Sequence, residues 1–342
     1  MYSIRDAYTV SGLGNLKMQL AATLVGIVCM LLISTLDYEI IVNKLWIPML
    51  IAEICVLGIT LVFGVAEGAN KSWLSIGVFN VQPSEFAKIT YIITFSKHID
   101  YVKTKINRVL PLLSLLAHAG IIIGLILLSG DLGVALVYAG FTLIMLYGAG
   151  LSIFYFIGAA ACGVLALPYI WPHLREDQQL RIIYGFHPEK DPLDKGMQAL
   201  MGKSAISSGG IFGNGINGGS VYKSLYACEN DFAFSSLCEK FGIAGGIAVL
   251  LLLCIVVVRI LRIASSARKD TGTLICIGVA GAIIIQTAEN IGMTLALLPV
   301  IGITLPFISY GGSSVFSMYL MMGMVHSIHA HRVKYFFERE SN

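Results

Sequence analysis

Polar and apolar positions along this chain segregate into long blocks rather than following the short periods of amphipathic helices and strands. An α-helix needs about 17 to 25 mostly apolar residues to cross a bilayer. Such runs recur at Lys17 to Leu36, Leu45 to Val65, Pro83 to His98, Val109 to Leu128, Asp131 to Gly148, Ser152 to Trp171, Asp231 to Leu261, Thr271 to Met293 and Ser313 to His331. The pattern predicts an all-α polytopic membrane protein of about nine transmembrane helices, organised as a single integral membrane domain over residues 1–342.

Two stretches break this rhythm. Pro172 to Asn230 is far longer than an ordinary connection, and loops of that length are usually functional or disordered. Asn290 to Ser314 is nearly all apolar, yet Pro299, Pro306, Gly302, Gly311 and Gly312 interrupt it. Such residues release backbone N–H and C=O groups, which are tolerated at bilayer depth only where protein or a water-filled cavity satisfies them. The stretch therefore reads as the wall of a site rather than as a span.

Lysine and arginine set the expected orientation. The segment holding Lys97, Lys103, Lys105 and Arg108, the segment holding Arg259, Arg262, Arg268 and Lys269, and the tail with Arg332, Lys334 and Arg339 all fall on one side of the predicted bilayer. That side is expected to be cytoplasmic. The N-terminus, the loop around Trp73, the long loop and the broken stretch then lie outside, and the first 16 residues are too polar and short for a further span or a cleaved signal peptide.

Composition closes off other classes. The chain is 56% hydrophobic and 13% charged, with mean hydropathy +0.80, which excludes a soluble domain of 342 residues. A net charge of +3 gives nucleic acid no electrostatic footprint. The seven cysteines fall mostly within apolar runs, where Cys behaves as a small hydrophobe, and none has metal-ligand spacing. Cys228 and Cys238 flank a loop end, but with the later one already helical they are too far apart to bond. Gly213, Gly215 and Gly218 spell G-x-G-x-x-G, yet no strand precedes them and no βαβ unit surrounds them, so the dinucleotide fingerprint is a decoy.

Ionisable residues within apolar runs are costly and default to an interior position with a partner. Glu85 and Lys88 stand three apart on one helix face, where their charged ends can meet. They suit a structural ion pair and a phosphate-contacting role equally. Glu53 lies mid-span with no obvious partner. Asp131, after Gly130, suits a helix N-cap. Glu289 and Asn290 close the eighth run, and the tail histidines His326, His329 and His331 read as solvated interfacial residues. Asp231 stands where the long loop re-enters an apolar helix beside Phe232 and Phe234. Partial desolvation there raises a carboxyl's pKa and suits a general base. An N-cap role fits the same position, and position alone does not separate the two.

Four segments together resemble the SEDS family (shape, elongation, division and sporulation; the RodA, FtsW and SpoVE group). Trp73 with Gln82-Pro83-Ser84-Glu85 and Lys88 resembles its W…QPSE..K signature, and Gly130 to Gly133 its PDLGTA. Asp231 to Gly242, DFAFSSLCEKFG, resembles its TDFIF…GEEFG block, and Asn290 to Ser314 its NIGMN.GLLPVTGI.LPFISYGGSS. The likeness covers essentially the whole chain from Lys17 onward. It implies a peptidoglycan glycosyltransferase that polymerises lipid II, a disaccharide-pentapeptide on a polyprenyl diphosphate, at the outer face of the bacterial cytoplasmic membrane. It also implies a class B penicillin-binding protein as partner.

On that resemblance Asp231 is the expected catalytic base. It would take the proton of one sugar hydroxyl as this attacks the anomeric carbon of another with inversion and diphosphate leaves. Substrate contacts are expected from Glu85, Lys88, Arg181, Gln198, Lys203, Ser309, Tyr310 and Ser313, with Lys223 a further cation for the departing diphosphate. No dedicated metal site is read from the sequence, although a divalent cation bridging diphosphate and Asp231 is compatible with it. The alternatives are a lipid II flippase or transporter, since broken helices and intramembrane charge also mark transporters, and a non-catalytic scaffold for a penicillin-binding protein. Paired broken segments in two matching halves, which a transporter built on repeats would show, are not found.

The chain also departs from the family pattern. Its first apolar run matches the family's second. The family's PE.HTD reads Tyr226-Ala227-Cys228-Glu229-Asn230-Asp231, so that a Pro-Glu pair and a His are lost, with Glu229 an acid at a shifted position, and Lys240 replaces the second acid of GEEFG. Of the two glutamines in the YQ..QS.IAIGSGG pattern only the first is kept, as Gln198, with Met201 at the second.

Overall fold

The computed structural model describes residues 12–67, 70–76, 79–173, 176–193, 196–216 and 218–332. Helix α1 spans Gly12–Thr35 and α2 Tyr38–Phe63; a small sheet follows, with β1 Val65–Glu67, β2 Asn70–Ile76 and β3 Phe79–Val81. Next come α3 Pro83–Val102, α4 Val109–Leu128, α5 Leu132–Gly148 and α6 Ile153–Ile170. The long loop carries α7 Glu176–Phe186 and α8 Met197–Ser208, and the chain closes with α9 Ala233–Ser265, α10 Asp270–Thr294 and α11 Gly312–Ala330.

Every apolar run of the sequence falls on one of these helices, and the molecule is an all-α membrane protein as expected. Among the described residues five helices, within α1, α2, α4, α9 and α10, are long and apolar enough to cross a membrane, while α5 and α6 are shorter apolar helices. Large apolar side chains such as Leu24, Leu31, Leu110 and Phe154 point outward. Extended apolar exposure of this kind suits a lipid solvent and would be a liability in water. Added to the helices is an antiparallel meander, in which Val65 pairs with Trp73 and Leu74, Ser75 and Ile76 pair with Val81, Asn80 and Phe79.

The chain divides into two compact units. The first comprises Met18–Gly150, Cys254–Ile285 and Gly311–Asn342. Its core is an aromatic stack on α3 and α5, where Tyr91, Phe95, Tyr138 and Phe141 lie with ring centroids 5.1 to 5.6 Å apart. Their hydroxyls are satisfied within the stack: Tyr138 donates to Ser84 O at 2.7 Å, and Tyr91 shares a 2.8 Å hydrogen bond with Thr142. Pro83 opens α3 at its first turn, where no intrahelical N–H bond is lost. At the end rich in Lys and Arg, Lys103 meets Asp270 at 2.6 Å and Arg268 meets Glu39 at 3.6 Å. The two basic segments of the sequence thus share one end of this unit.

The second unit comprises Met1–Lys17, Leu151–Leu253 and Gln286–Tyr310. It holds the long loop, which is folded rather than slack. Ala205 of α8 packs with Tyr222, Leu225 and Phe232. Its glycine-rich part solves a specific backbone problem, because α9 is broken at Gly242, with φ 71° and ψ −177°. The break releases carbonyls and N–H groups in an apolar setting. Asn214 N and Gly215 N donate to Glu239 O and Lys240 O, both at 3.0 Å, while Ile243 N and Ala244 N donate to Gly210 O and Ile211 O at 2.9 and 3.1 Å. A Cβ at Gly213 would lie 2.1 Å from Lys240 O, and one at Gly242 2.1 Å from Ile211 O. Gly213 and Gly215 of the sequence's G-x-G-x-x-G thus belong to a splice across a helix break.

Candidate functional site

Asp231 sits in a tight turn just before α9, two residues ahead of the first helical position. The turn enters through Ala227, a non-glycine residue at φ 56°, a conformation that persists only when the surroundings over-determine it. Those surroundings are the broken stretch from the end of α10 to residue 310. Three consecutive carbonyls of the turn are each taken by a donor from it. Tyr310 N donates to Glu229 O at 2.8 Å, Ser309 Oγ to Asn230 O at 2.5 Å, and Asn290 Nδ2 to Asp231 O at 2.8 Å.

The donors are themselves fixed. Asn290, fully buried, also donates to Ile303 O at 2.6 Å, so one amide ties the aspartate's backbone to the far side of the broken stretch. Ser309 Oγ accepts from Leu305 N at 2.8 Å while donating to the turn. Phe307 holds φ at 63° and Gly302 at 70°. A Cβ placed on Gly302 would lie 3.4 Å from Asp231 Oδ2, so the bare backbone there faces the carboxylate directly. The glycine provides both the left-handed turn and the open space beside the acid. Asp231 itself is partly exposed, as a group that must meet a substrate has to be.

A second layer supports the turn from α9. Glu239 is buried and accepts from Val221 N at 3.0 Å and Tyr222 N at 2.7 Å, capping the 3₁₀ turn at Val221–Ser224. Ser236 Oγ donates to Cys228 O at 2.8 Å. Burial pushes the Glu229 carboxyl above its ordinary value, opposed by its hydrogen bond from Asn15 and by the charge of Lys240. Burial likewise raises the Cys228 thiol. Cys228 and Cys238 are both free thiols, as their spacing led us to expect.

The expected substrate contacts fall in several settings. Ser309 is buried and its hydroxyl is engaged on both sides by backbone, so it acts on the turn rather than reaching outward. Tyr310 is half-buried, with its hydroxyl 3.4 Å from Asn15 Oδ1. Gln198 accepts from Tyr226 N at 3.0 Å and so also braces the approach to the turn. Lys203 lies exposed on α8. Lys223 is exposed with its ammonium 5.8 Å from the Tyr222 ring. Arg181 belongs to α7, and its side chain lies outside the described residues.

Glu85, Lys88 and Ser313 belong to the first unit. Lys88 Nζ and Glu85 Oε2 form a 2.7 Å ion pair, both side chains almost wholly buried, as the three-residue spacing suggested. Ser317 Oγ approaches Glu85 Oε2 at 3.4 Å, and Ser313 Oγ accepts from Gln82 N at 3.2 Å. Asp131 is the N-cap of α5, accepting from Val134 N at 3.1 Å, and its other oxygen accepts from Gln82 Nε2 at 2.7 Å. Glu53 is buried.

Sequence reasoning did not assign roles to Asn290, Glu239 and Gln82. Each is a polar residue at the edge of, or within, an apolar run, and that placement was the available signal. Among the described residues no group of three or more His, Cys, Asp or Glu side chains is gathered for a metal. The arrangement offers a held, partly exposed carboxylate at a helix entrance, suited to accepting a proton from a hydroxyl.

Comparison with known proteins gives a consistent result. Residues 2–334 match the FTSW_RODA_SPOVE family, described as "Cell cycle protein". The chain is 33% identical to the "Probable peptidoglycan glycosyltransferase FtsW" of Trichlorobacter lovleyi, over 92% of this chain and 83% of that protein. It is 33% identical to "Stage V sporulation protein E" of Bacillus subtilis, over 90% and 85%, and 31% identical to "Peptidoglycan glycosyltransferase MrdB" of Escherichia coli, over 97% and 90%. Among solved structures, a chain from "Structural coordination of polymerization and crosslinking by a peptidoglycan synthase complex" superposes with a TM-score of 0.83 at 26% identity, over 94% of this chain and 90% of that one. An aspartate-to-alanine mutant of the Thermus thermophilus rod shape determining protein RodA gives 0.70 at 25% identity, over 93% and 89%.

Proposed function

The chain belongs to the FtsW/RodA/SpoVE family of cell cycle proteins, and from that premise we propose that it is a peptidoglycan glycosyltransferase that polymerises lipid II with Asp231 as general base. The observation that carries the reading is the three-carbonyl clamp on residues 229–231, which holds one carboxylate rigidly at the entrance of α9. Rigid support of this kind is what a group that must meet a reacting hydroxyl at hydrogen-bond distance requires.

The reaction follows from the chemistry. Asp231 accepts the proton of the attacking sugar hydroxyl as the new glycosidic bond forms and the bond from the anomeric carbon to diphosphate breaks. A single displacement inverts that centre. The departing diphosphate carries growing negative charge, and the cations proposed to neutralise it are Lys203 and Lys223, both exposed and on the same unit as Asp231, together with Arg181. A divalent cation arriving with the diphosphate would supply further charge neutralisation, with Asp231 as its protein ligand.

The protein is a multi-pass membrane protein. The finer location we propose is the bacterial cytoplasmic membrane, oriented by the Lys- and Arg-rich segments as cytoplasmic, with the substrate met at the outer face. The partner is a class B penicillin-binding protein. This is supported by the likeness to a chain from a complex that couples polymerisation to crosslinking. The experiment is to supply purified protein, alone and with that partner, with fluorescent lipid II and to resolve glycan length by electrophoresis. Ladders of long strands are expected. Transbilayer movement of lipid II without any polymer would instead favour a flippase.

A further inference from the structure

In the first unit, α2, α3 and α4 line a cavity of about 360 Å³, a size found among small-molecule sites. Its walls are largely apolar, with Leu50 and Ile54 from α2 and Ile122 from α4, and its polar side chains are His98, Ser114 and His118. Ala117 and Ile121, which also line it, are exposed on α4. Apolar exposure there opens the cavity sideways to lipid.

The polar side chains form one hydrogen-bonded chain whose protons can be placed. Ser114 Oγ gives its single hydrogen to Pro111 O at 2.7 Å, so in its 3.3 Å contact with His98 Nε2 the imidazole is the donor. An apolar setting favours neutral rings, and a neutral imidazole carries one N–H. His98 Nδ1 is then an acceptor, and the 3.1 Å bond between the two Nδ1 atoms is donated by His118. This leaves His118 Nε2 as an acceptor. The side chain is buried, at 6% exposure, and among the described residues Nε2 has no hydrogen-bond partner. Edge-on packing against Tyr91 and Phe95, with ring centroids 5.7 and 5.4 Å away, fixes the ring.

A buried acceptor without a donor is costly, and at an apolar cavity it calls for a ligand that brings the missing O–H. Water is poorly suited, because it needs two to four polar partners and the other walls are apolar. A metal ion is no better served, since no carboxylate or thiol lines the cavity. His118 stands nine residues after Val109, about 14 Å along the axis of α4, so the ligand has to be soluble in the bilayer.

We propose that this cavity binds a membrane-soluble alcohol or phenol, with its apolar body against Leu50, Ile54 and Ile122 and its hydroxyl donating to His118 Nε2. The site belongs to the first unit and the Asp231 turn to the second. It stands independently of the transferase reading.

The test is photolabelling of the intact protein in lipid nanodiscs with a diazirine-bearing decanol, the labelled peptides being identified by mass spectrometry. The competitors are 2-naphthol and decanol, each beside its methyl ether, which keeps the apolar body and loses the donor. Label is expected on peptides of α2 and α4 around Leu50 and Ile121. The better of the two alcohols should displace it at a concentration at least about 10-fold below that of its own ether, although ethers enter lipid more readily. Which alcohol is the better one tells whether the natural body is a ring or a chain. Ala117→Phe, which fills the cavity and leaves both histidines in place, should abolish the local label, and His118→Phe should erase the preference for alcohol over ether. Equal displacement by alcohol and ether, label spread evenly over the lipid-facing helices, or undiminished label in Ala117→Phe overturns the site. The wild-type comparison decides the matter even where His118→Phe does not fold.

Discussion

Asn290→Ala removes one side chain and two hydrogen bonds, to Asp231 O at 2.8 Å and to Ile303 O at 2.6 Å. Asn290 is fully buried and its own Oδ1 has no partner, so the loss is confined to these two donors and a small void. A buried acceptor deprived of its donor costs about 1–3 kcal/mol, which puts the total for the two at about 2–6 kcal/mol. About half of that falls on the carbonyl of the aspartate. If ~1.5–2 kcal/mol appears as displacement of the carboxylate, the rate falls by about 10- to 30-fold, at roughly 1.36 kcal/mol per decade. Initial rates of polymerisation at saturating lipid II, alongside thermal unfolding in detergent, measure both parts. Asn290→Asp should be worse than alanine, because it turns an acceptor toward two carbonyl oxygens. Wild-type rate and stability in Asn290→Ala would refute the clamp.

Further outcomes follow from the same geometry. Gly302→Ala forces a side chain into a left-handed residue and puts its methyl 3.4 Å from Asp231 Oδ2; a destabilisation of about 1–2 kcal/mol and an activity loss larger than that alone explains are expected from unfolding and rate measurements. Gly242→Ala meets Ile211 O at 2.1 Å at a positive φ and should abolish a folded, monodisperse product on size-exclusion chromatography. Lys88→Met leaves Glu85 buried without its cation, which costs about 3–5 kcal/mol; a second change, Glu85→Gln, should recover much of the lost melting temperature. The raised Glu229 carboxyl stabilises the fold below its ordinary value near 4.5, and that contribution is lost as pH rises through the higher folded value. Lys240→Met should deepen the fall in melting temperature on going from acidic to neutral pH. Adding Glu229→Gln should remove the extra fall, with Asn15, Tyr310 and Cys228 as its other neighbours.

The helices were legible in the sequence because a bilayer-length apolar run has few alternative structures, and Asp131 and Pro83 mark starts by local chemistry alone; α2 begins at Tyr38 behind its cap Asp37, ahead of the run read from Leu45. The meander at residues 65–81 was not legible. Its strands are three to seven residues long, too short for a period to emerge. For the glycines from Gly209 to Gly219 the sequence excluded a dinucleotide fingerprint but gave no positive role, because their need arises from the break at Gly242, distant in sequence and visible only once α9 is packed. At the site, Asp231 stood out by position and resemblance, and the broken stretch by its prolines and glycines. That Asn290, Ser309 and Tyr310 act on three successive carbonyls could not be read, since a donor's target is fixed by tertiary structure. Ser309 shows this most plainly: a hydroxyl in a glycine-rich stretch suggests a ligand contact, and burial turns it to the backbone.

The central claim is that Asp231 takes the proton of the attacking hydroxyl. It is tested most directly by the initial polymerisation rate of folded Asp231→Asn protein against wild type, at saturating lipid II and equal concentrations of the same partner. Asparagine preserves shape while removing the base, so the account predicts a loss of about 10²- to 10⁴-fold with hydrogen exchange of the turn unchanged. Polymerisation by Asp231→Asn within about threefold of wild type would contradict it.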